Sequence, residues 1–402
     1  VRFNGDRETN FQQFRRTGTS TVSTYTISMW AKNCGVGTGV YRMLFSIGQE
    51  NDANAAWNGL TDSDTMGFQG GNSTYSTSTR VFRDPSAWFH FLISVNSNNF
   101  TTYINGTSIK TGTIRSLDTS TNGIRIGINY GTQYPWDGYI ADYYLIDGQA
   151  LTPSSFTETN SETGQLVPKL YTGSFGTEGA HLTFEDNSGI TATTLGKDSS
   201  GNGNNYTPSG DWSVSAGLGN DSFEDTPTKN FPTLNPNHAF LNGSSSTAAN
   251  GNLQWNGASN NQAGCPATMA FPKTGKWYWE VKLLSSNSNF SFGITPATYS
   301  NTINPVSPTG AIGYAAYGSK AVSGVETPNW AATFSSSDNI GAALDMDNNE
   351  IKFYKNNSLV GTISLVSGYE DIEYLAWIKG DTQTQLIQGA INFGGNGFVY
   401  TP

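Results

Sequence analysis

Between Lys276 and Leu284 the chain reads KWYWEVKLL with strict alternation: Trp277, Trp279, Val281 and Leu283 fall on one side, Lys276, Tyr278, Glu280 and Lys282 on the other. A period of two marks a strand with one buried face. Two indoles on that face require a second sheet to cover them. The runs able to supply it are FSFGI, with Phe290, Phe292 and Ile294, then NIGAALDMD, EIKFYKNN and the INFGG near the C-terminal end. The first half has the same texture. YTISMWAK sets Ile27 and Met29 against Ser28 and Trp30, WFHFLISVN sets Phe89, Phe91, Ile93 and Val95 against Trp88 and His90, and GIRIGIN alternates Ile124, Ile126 and Ile128. FTTYINGTSI predicts a hairpin in which Asn105-Gly106 supplies the two positive φ values of a type I′ turn, and IKFYKNNSLVGTISL repeats that plan. Helical and heptad periods are missing throughout. The expected fold is all-β: two antiparallel β-sandwiches of jelly-roll type, with helix confined to short turns.

A chain of 402 residues suits two cores rather than one. The pattern divides it into a sandwich over residues 1–172, a connector dense in Gly, Ser, Thr and Asn over 173–235, and a second sandwich over 236–402. The connector is expected to be ordered and irregular, packing on one or both sandwiches. HLTFED alternates Leu182 and Phe184 like a strand, and Tyr171, Phe175, Tyr206, Trp212 and Phe223 are too many apolar anchors for a solvated tether.

Charged residues make up 13% of the chain, aromatic residues another 13%, and glycines number 46, a composition of short strands and many turns. The formal net charge of -10 provides no basic face, which argues against nucleic acid and anionic membrane as partners. No apolar run is long enough to span a bilayer, so membrane insertion is not expected. The N-terminal VRFNGDRETN lacks the marks of a secretory signal. Cys34 and Cys265, one in each half, are not a disulfide framework and are expected to be inert thiols.

Three groups of residues carry resemblances. The order WYWEV, FGI, GY, IGAALD, IKFYKNN and NFG resembles the SPRY domain, a β-sandwich used for binding. TISMW, then W-x-H with a YINGT hairpin, IRIG and WDGYIADYYLIDGQALT resemble the laminin-G-like, concanavalin A-like jelly roll, carried here by Trp88, His90, Asn105, Gly106, Gly127, Gly138, Asp142 and Leu151. The phrases TRVFRDPSAW, LIDGQALTPSSF, TTLGKDSSGNGNNYTP and DTPTKNFPTLNP resemble tailed-phage virion proteins, of a kind common in marine phages, that join such a jelly roll to a SPRY-like domain. The resemblance implies a non-enzymatic virion structural protein: a fibre, a spike or a capsid decoration. It would be made in the host cytoplasm, be extracellular after release, and form homo-oligomers, trimers by analogy. Its partners would be other virion proteins and a host-surface glycan or protein. The competing expectation is a bacterial surface adhesin or a polysaccharide-binding or -processing module.

Jelly rolls of this class include glycosidases, which need two carboxylates flanking the scissile bond. The dense candidate is Asp345, Asp347 and Glu350, but Asn348-Asn349 signals a turn, so a hairpin rim is expected instead. His90, His181 and His238 come with no G-x-S-x-G elbow, and three histidines with two lone cysteines make no zinc pattern. No catalytic residue and no cofactor are expected. The jelly-roll resemblance does allow a calcium ion at a loop rim, for which Asp62, Asp64, Asp137 and Asp142 are the local candidates beside a turn-forming role. Loop aromatics grip sugar rings by stacking on their C–H faces while amides bond the hydroxyls. The candidates are Trp57, Tyr75, Tyr134 and Trp136 in the first half and Tyr299, Tyr317 and Trp330 in the second, with core packing as the alternative for each.

Overall fold

In a computed structural model the chain forms two compact units: Val1–Ser215 with Asn220–Asn230, and Ala216–Gly219 with Phe231–Pro402. The structure describes residues 1–5, 10–48, 56–70, 76–114, 116–120, 123–129, 133–215, 217–222, 224–238, 247–257, 261–285, 289–299, 304–382 and 387–400, with side chains left aside at 70, 76, 261–263 and 381–382. Tyr75 and Phe223 lie outside these residues.

Strands dominate both units, and the described residues contain no α-helix, only 3-10 turns at Pro153–Ser155 and Pro236–His238. The first unit is a sandwich of two antiparallel 7-stranded sheets. In one sheet Gly138–Asp147 pairs with Tyr25–Asn33, followed by Trp88–Asn96, Asn99–Ile104 and Thr107–Thr113. The other runs from Gln13–Arg16 through Ile124–Ile126, Arg42–Ile47, Ala56–Leu60 and Thr65–Gly70 to Ser76–Val81. Ile27, Met29, Phe91, Ile93 and Ile126 face one another in the core as their alternation requires. Asn105 and Gly106 hold φ of 48° and 78° and close the expected I′ hairpin.

The connector, expected to pack on one or both sandwiches, belongs to the first unit over 173–215 and 220–230. Ala180–Leu182 adds a strand to Gly138–Asp147, and Thr207–Ser209 adds one to Gln13–Arg16, so each sheet gains an edge from it. Leu182, Phe184, Leu195, Tyr206 and Trp212 are buried in the same core. The physical reason is apolar area: these anchors leave water only by joining a sandwich. Upstream, Leu151, Phe156, Tyr171 and Phe175 pack on the outer face of the first sheet over Leu92, Tyr144 and Ile146. All nine residues of Tyr25–Asn33 are buried despite their alternating pattern, with Asp225 and Asn230 covering Lys32 at the far end.

The second unit pairs a 7-stranded sheet with a 6-stranded one. Lys276–Leu283 lies between Ile387–Asn392 and Ile340–Asp345 at the centre of the larger sheet. Trp279, Val281 and Leu283 fill the core. Trp277 shares their parity but sits at the strand's first turn, 36% exposed, packed on Phe271 and donating to Thr274 O. Glu280, on the polar side, is buried because its carboxylate accepts the backbone N–H groups of Val399 and Tyr400 at 2.9 and 2.8 Å.

Candidate functional site

In the smaller sheet of the second unit, Phe292, Ile294, Ile312, Tyr314, Ala376 and Ile378 point into the core. Alternation therefore sends Gly293, Gly313, Trp377 and Lys379 to the opposite face, where Trp377 pairs with Gly293 and Gly293 with Gly313. A Cβ on Gly313 would stand 3.0 Å from the Trp377 indole and 3.1 Å from Val306, so the ring needs a glycine beneath it. Above this floor lies a cleft of about 180 Å³, walled by Asn289, Asn304, Tyr317, Lys320 and Glu326.

Of the aromatic residues singled out in the sequence, Tyr317 lines this cleft, while Tyr299 and Trp330 contact its wall residues Asn304 and Lys320. Tyr317, 45% exposed, forms its wall. Tyr299 donates its hydroxyl to Asn304 O at 3.4 Å, and the Lys320 ammonium lies 5.4 Å from the Trp330 ring centroid. Trp330 is half-buried, with edge contacts to Tyr314 and Phe353. The arrangement offers a stacking ring, amides, an ammonium and a carboxylate within one small volume. Sequence reading missed Trp377, which looks like any strand residue until the glycines opposite it are paired.

In the first unit Trp57 and Tyr134 are brought together by Tyr41, whose ring centroid lies 6.2 Å from one and 5.4 Å from the other. Only Tyr134 presents much surface, since Trp57 is buried with its N–H donated to Gln69 Oε1. Trp136 requires a correction. Its backbone N–H binds Gly127 O at 2.7 Å, the side chain turns into the core, and it is 0% exposed. It has no face to offer a ligand.

A second cleft, of about 270 Å³, opens where the connector crosses the outer face of the first sheet, between Trp30, Trp88, Asn105, Gln165 and Asn230. Among the described residues no charged side chain lines it. Its walls are held from outside: Trp88 Nε1 donates to Asp225 at 2.9 Å, Asn105 Oδ1 accepts His90 N at 2.7 Å, and Asn230 Nδ2 donates to Ser86 O at 2.8 Å.

The four candidate calcium aspartates do not form one oxygen cage. Asp64 is buried and neutralised by Arg42 and by Arg83, the latter at 2.9 Å, and it also accepts Gly37 N. Two guanidinium groups occupy the place a cation would need. Asp142, at φ 55° where the register shifts, lies 2.8 Å from His181 Nε2. Asp62 is exposed and accepts Ser63 Oγ, and Asp137 is half-buried with its carbonyl accepting Cys34 N. Among the described residues no group of three or more His, Cys, Asp or Glu is placed to hold a metal ion.

Asp345 and Glu350 face each other across the Asp345–Glu350 hairpin. The Asn348 amide, together with Lys276, holds the Asp345 carboxyl down at about 2, and Asp347 accepts Gly275 N. Ser28 Oγ and His90 Nε2 are 2.8 Å apart, but both residues are buried, and burial pushes the His90 imidazole down to about 3. Both thiols are buried, with their ionisation pushed up chiefly by desolvation.

Residues 6–155 match the concanavalin A-like lectin/glucanases superfamily model of the laminin G type, and residues 276–368 match the SPRY domain model. Among solved structures the chain is similar to the SPRY domain of human HERC1, at 18% identity over 40% of this chain and 97% of that one, with a TM-score of 0.34. It is also similar to another human SPRY domain, at 18% identity over 39% of this chain and 95% of that one, TM-score 0.30. A heptameric SAP-like pentraxin from Limulus polyphemus is similar at 17% identity over 42% and 90%, TM-score 0.30. No curated protein sequence matches. The chain thus carries, one after the other, a region that matches the concanavalin A-like model of the laminin G type and a region that matches the SPRY model.

Proposed function

We propose that this chain is a non-enzymatic binding protein of a bacteriophage virion, a fibre, spike or capsid decoration, that attaches to a host-surface glycan or protein. The observation that carries the binding part is the cleft over Trp377, where Tyr317 stands exposed and Tyr299 and Trp330 reach the wall through Asn304 and Lys320. Glycan contacts of this size are weak, about millimolar to micromolar, so useful attachment needs several copies displayed together. A homo-oligomer, most simply a trimer, supplies them.

The virion part rests on the resemblance of four phrases to tailed-phage virion proteins. Their residues serve the architecture of the first unit. Arg83 of TRVFRDPSAW pairs with Asp64, LIDGQALTPSSF lays Leu151 and Phe156 on the outer sheet face, and Asp198 of TTLGKDSSGNGNNYTP accepts the N–H groups of His181, Ser200 and Asn204. DTPTKNFPTLNP supplies Asp225 to Lys32 and Trp88.

The test is adsorption of labelled full-length protein to candidate host cells, with the Tyr317→Ala variant beside it. Loss of adsorption with unchanged thermal stability supports the reading. Equal adsorption by both proteins removes the cleft from it, and absence of the chain from purified particles by peptide mass spectrometry removes the virion.

A further inference from the structure

Lys32 lies on the Tyr25–Asn33 strand with 0% of its side chain exposed. Its Nζ is 2.8 Å from Asn230 Oδ1 and 2.7 Å from Asp225 Oδ2. The rings of Tyr139 and Trp88 flank it, with centroids 5.0 and 5.8 Å away. Each partner is oriented by a further bond. Trp88 Nε1 holds Asp225 Oδ1 at 2.9 Å, which leaves Oδ2 on the amine, and Asn230 Nδ2 donates to Ser86 O at 2.8 Å, which fixes the plane of the amide. A hydrogen bond of this length to the carboxamide oxygen leaves Nζ beside the carboxamide carbon, close to the roughly 3–3.5 Å of near-attack geometry. Amine, carboxamide and carboxyl group thus stand together at one largely dry point.

We propose that Lys32 and Asn230 become joined by an intramolecular amide bond. The Lys32 ammonium first passes a proton to Asp225, which in a poorly solvated site replaces two charges by two neutral groups. The neutral amine attacks Cγ of Asn230, forming the N–C bond and placing the electron pair of the C=O bond on oxygen. The tetrahedral centre collapses, the C–Nδ2 bond breaks, and the Asp225 carboxyl protonates the departing nitrogen. The second proton on Nζ follows it. Lysine ammonium and asparagine carboxamide become a secondary amide and an ammonium ion, with atoms and charge balanced and no oxidant or cofactor consumed. Asn230 itself is exposed, which gives the released ammonia a way out while Nζ stays covered.

The linkage accounts for a feature that glycan binding leaves unexplained. Trp88 ends the phrase TRVFRDPSAW, and Asp225 and Asn230 belong to DTPTKNFPTLNP, two phrases far apart in sequence that meet at this one lysine. The bond would fasten the end of the first unit's connector to the central part of its sheet, and it involves no residue of the cleft over Trp377.

The experiment is the intact mass of the full-length protein in denaturant. The expected mass is below that of the sequence by one ammonia, and proteolysis yields a branched peptide containing Lys32 and Asn230. Asn230→Asp should lose one water instead, because a carboxylic acid then takes the place of the amide. Asn230→Ala, Asp225→Ala and Lys32→Arg should each return the unreduced sequence mass. If Lys32→Arg does not fold, Asn230→Ala, altered at an exposed position, carries the comparison alone. Full sequence mass in the unaltered protein overturns the proposal, as does an ammonia loss that persists in Asn230→Ala.

Discussion

Arg2 and Asp221 meet in a fully buried ion pair 219 residues apart in sequence, Nη2 to Oδ1 at 2.8 Å. Asn4 Nδ2 and Gln12 Nε2 donate to the same carboxylate at 3.0 and 2.8 Å, and so does the backbone N–H of Ser213. Asp221→Ala leaves the guanidinium buried without its partner, a change worth about 3–5 kcal/mol. Calorimetry should show that loss in the unfolding of the first unit, and a transition within ~0.5 kcal/mol of the unaltered protein would show the pair to be dispensable.

Trp136→Ala and Tyr317→Ala should separate packing from binding. The first empties a core site and should cost about 3–5 kcal/mol. The second alters an exposed ring and should change stability by no more than ~0.5 kcal/mol while weakening adsorption. Urea titration alongside cell binding reads both.

His90 makes the stability of the first unit fall in acid. Burial depresses its folded-state pKa to about 3, so between the unfolded value of roughly 6.5 and 3 the unfolded chain holds a proton that the folded chain does not. Stability therefore rises with pH across that window and is complete above it. At pH 5 this single group should have cost about 2 kcal/mol, at ~1.36 kcal/mol for each pH unit below 6.5. His90→Asn should flatten that part of the acid limb in chemical denaturation measured from pH 4 to 8.

Gly313→Val introduces methyl groups where a Cβ already meets Trp377 and Val306 at 3.0 and 3.1 Å. Overpacking of this kind costs about 1–3 kcal/mol. The displaced indole should also close the cleft, so ligand binding should fall more steeply than in Tyr317→Ala.

Multi-angle light scattering at micromolar protein should give a trimer if the proposed assembly forms through this chain alone. A monodisperse monomer would place the multivalency in a larger lattice.

Much of the architecture was legible because alternation reports a face directly. Ile27, Met29, Phe91, Ile93, Trp279 and Val281 all point where the period of two sends them. What alternation does not report is a second cover. His90, Lys32 and Trp30 stand on the polar side of their strands and are buried nonetheless, because a segment more than a hundred residues away in sequence folds over some of them. Trp136 was misplaced for a related reason: a turn-rich run looks like a rim, and only the bond from its N–H to Gly127 turns it inward. Tyr317 could be read because its neighbours do not alternate. Trp377 could not, since its role depends on Gly293 and Gly313 from two other strands.

The edge strands Ala180–Leu182 and Thr207–Ser209 also set an order of events during synthesis. Arg2 is synthesised 219 residues before its counter-ion, and the pair forms only when Asp221 has followed. The N-terminal half must therefore wait, with open sheet edges, through most of the translation of its own cover. Contacts of such long range fold slowly and leave strand edges exposed to other chains. A fragment ending at 172 would be trapped in that waiting state, so the shortest self-sufficient first unit ends near Asn230.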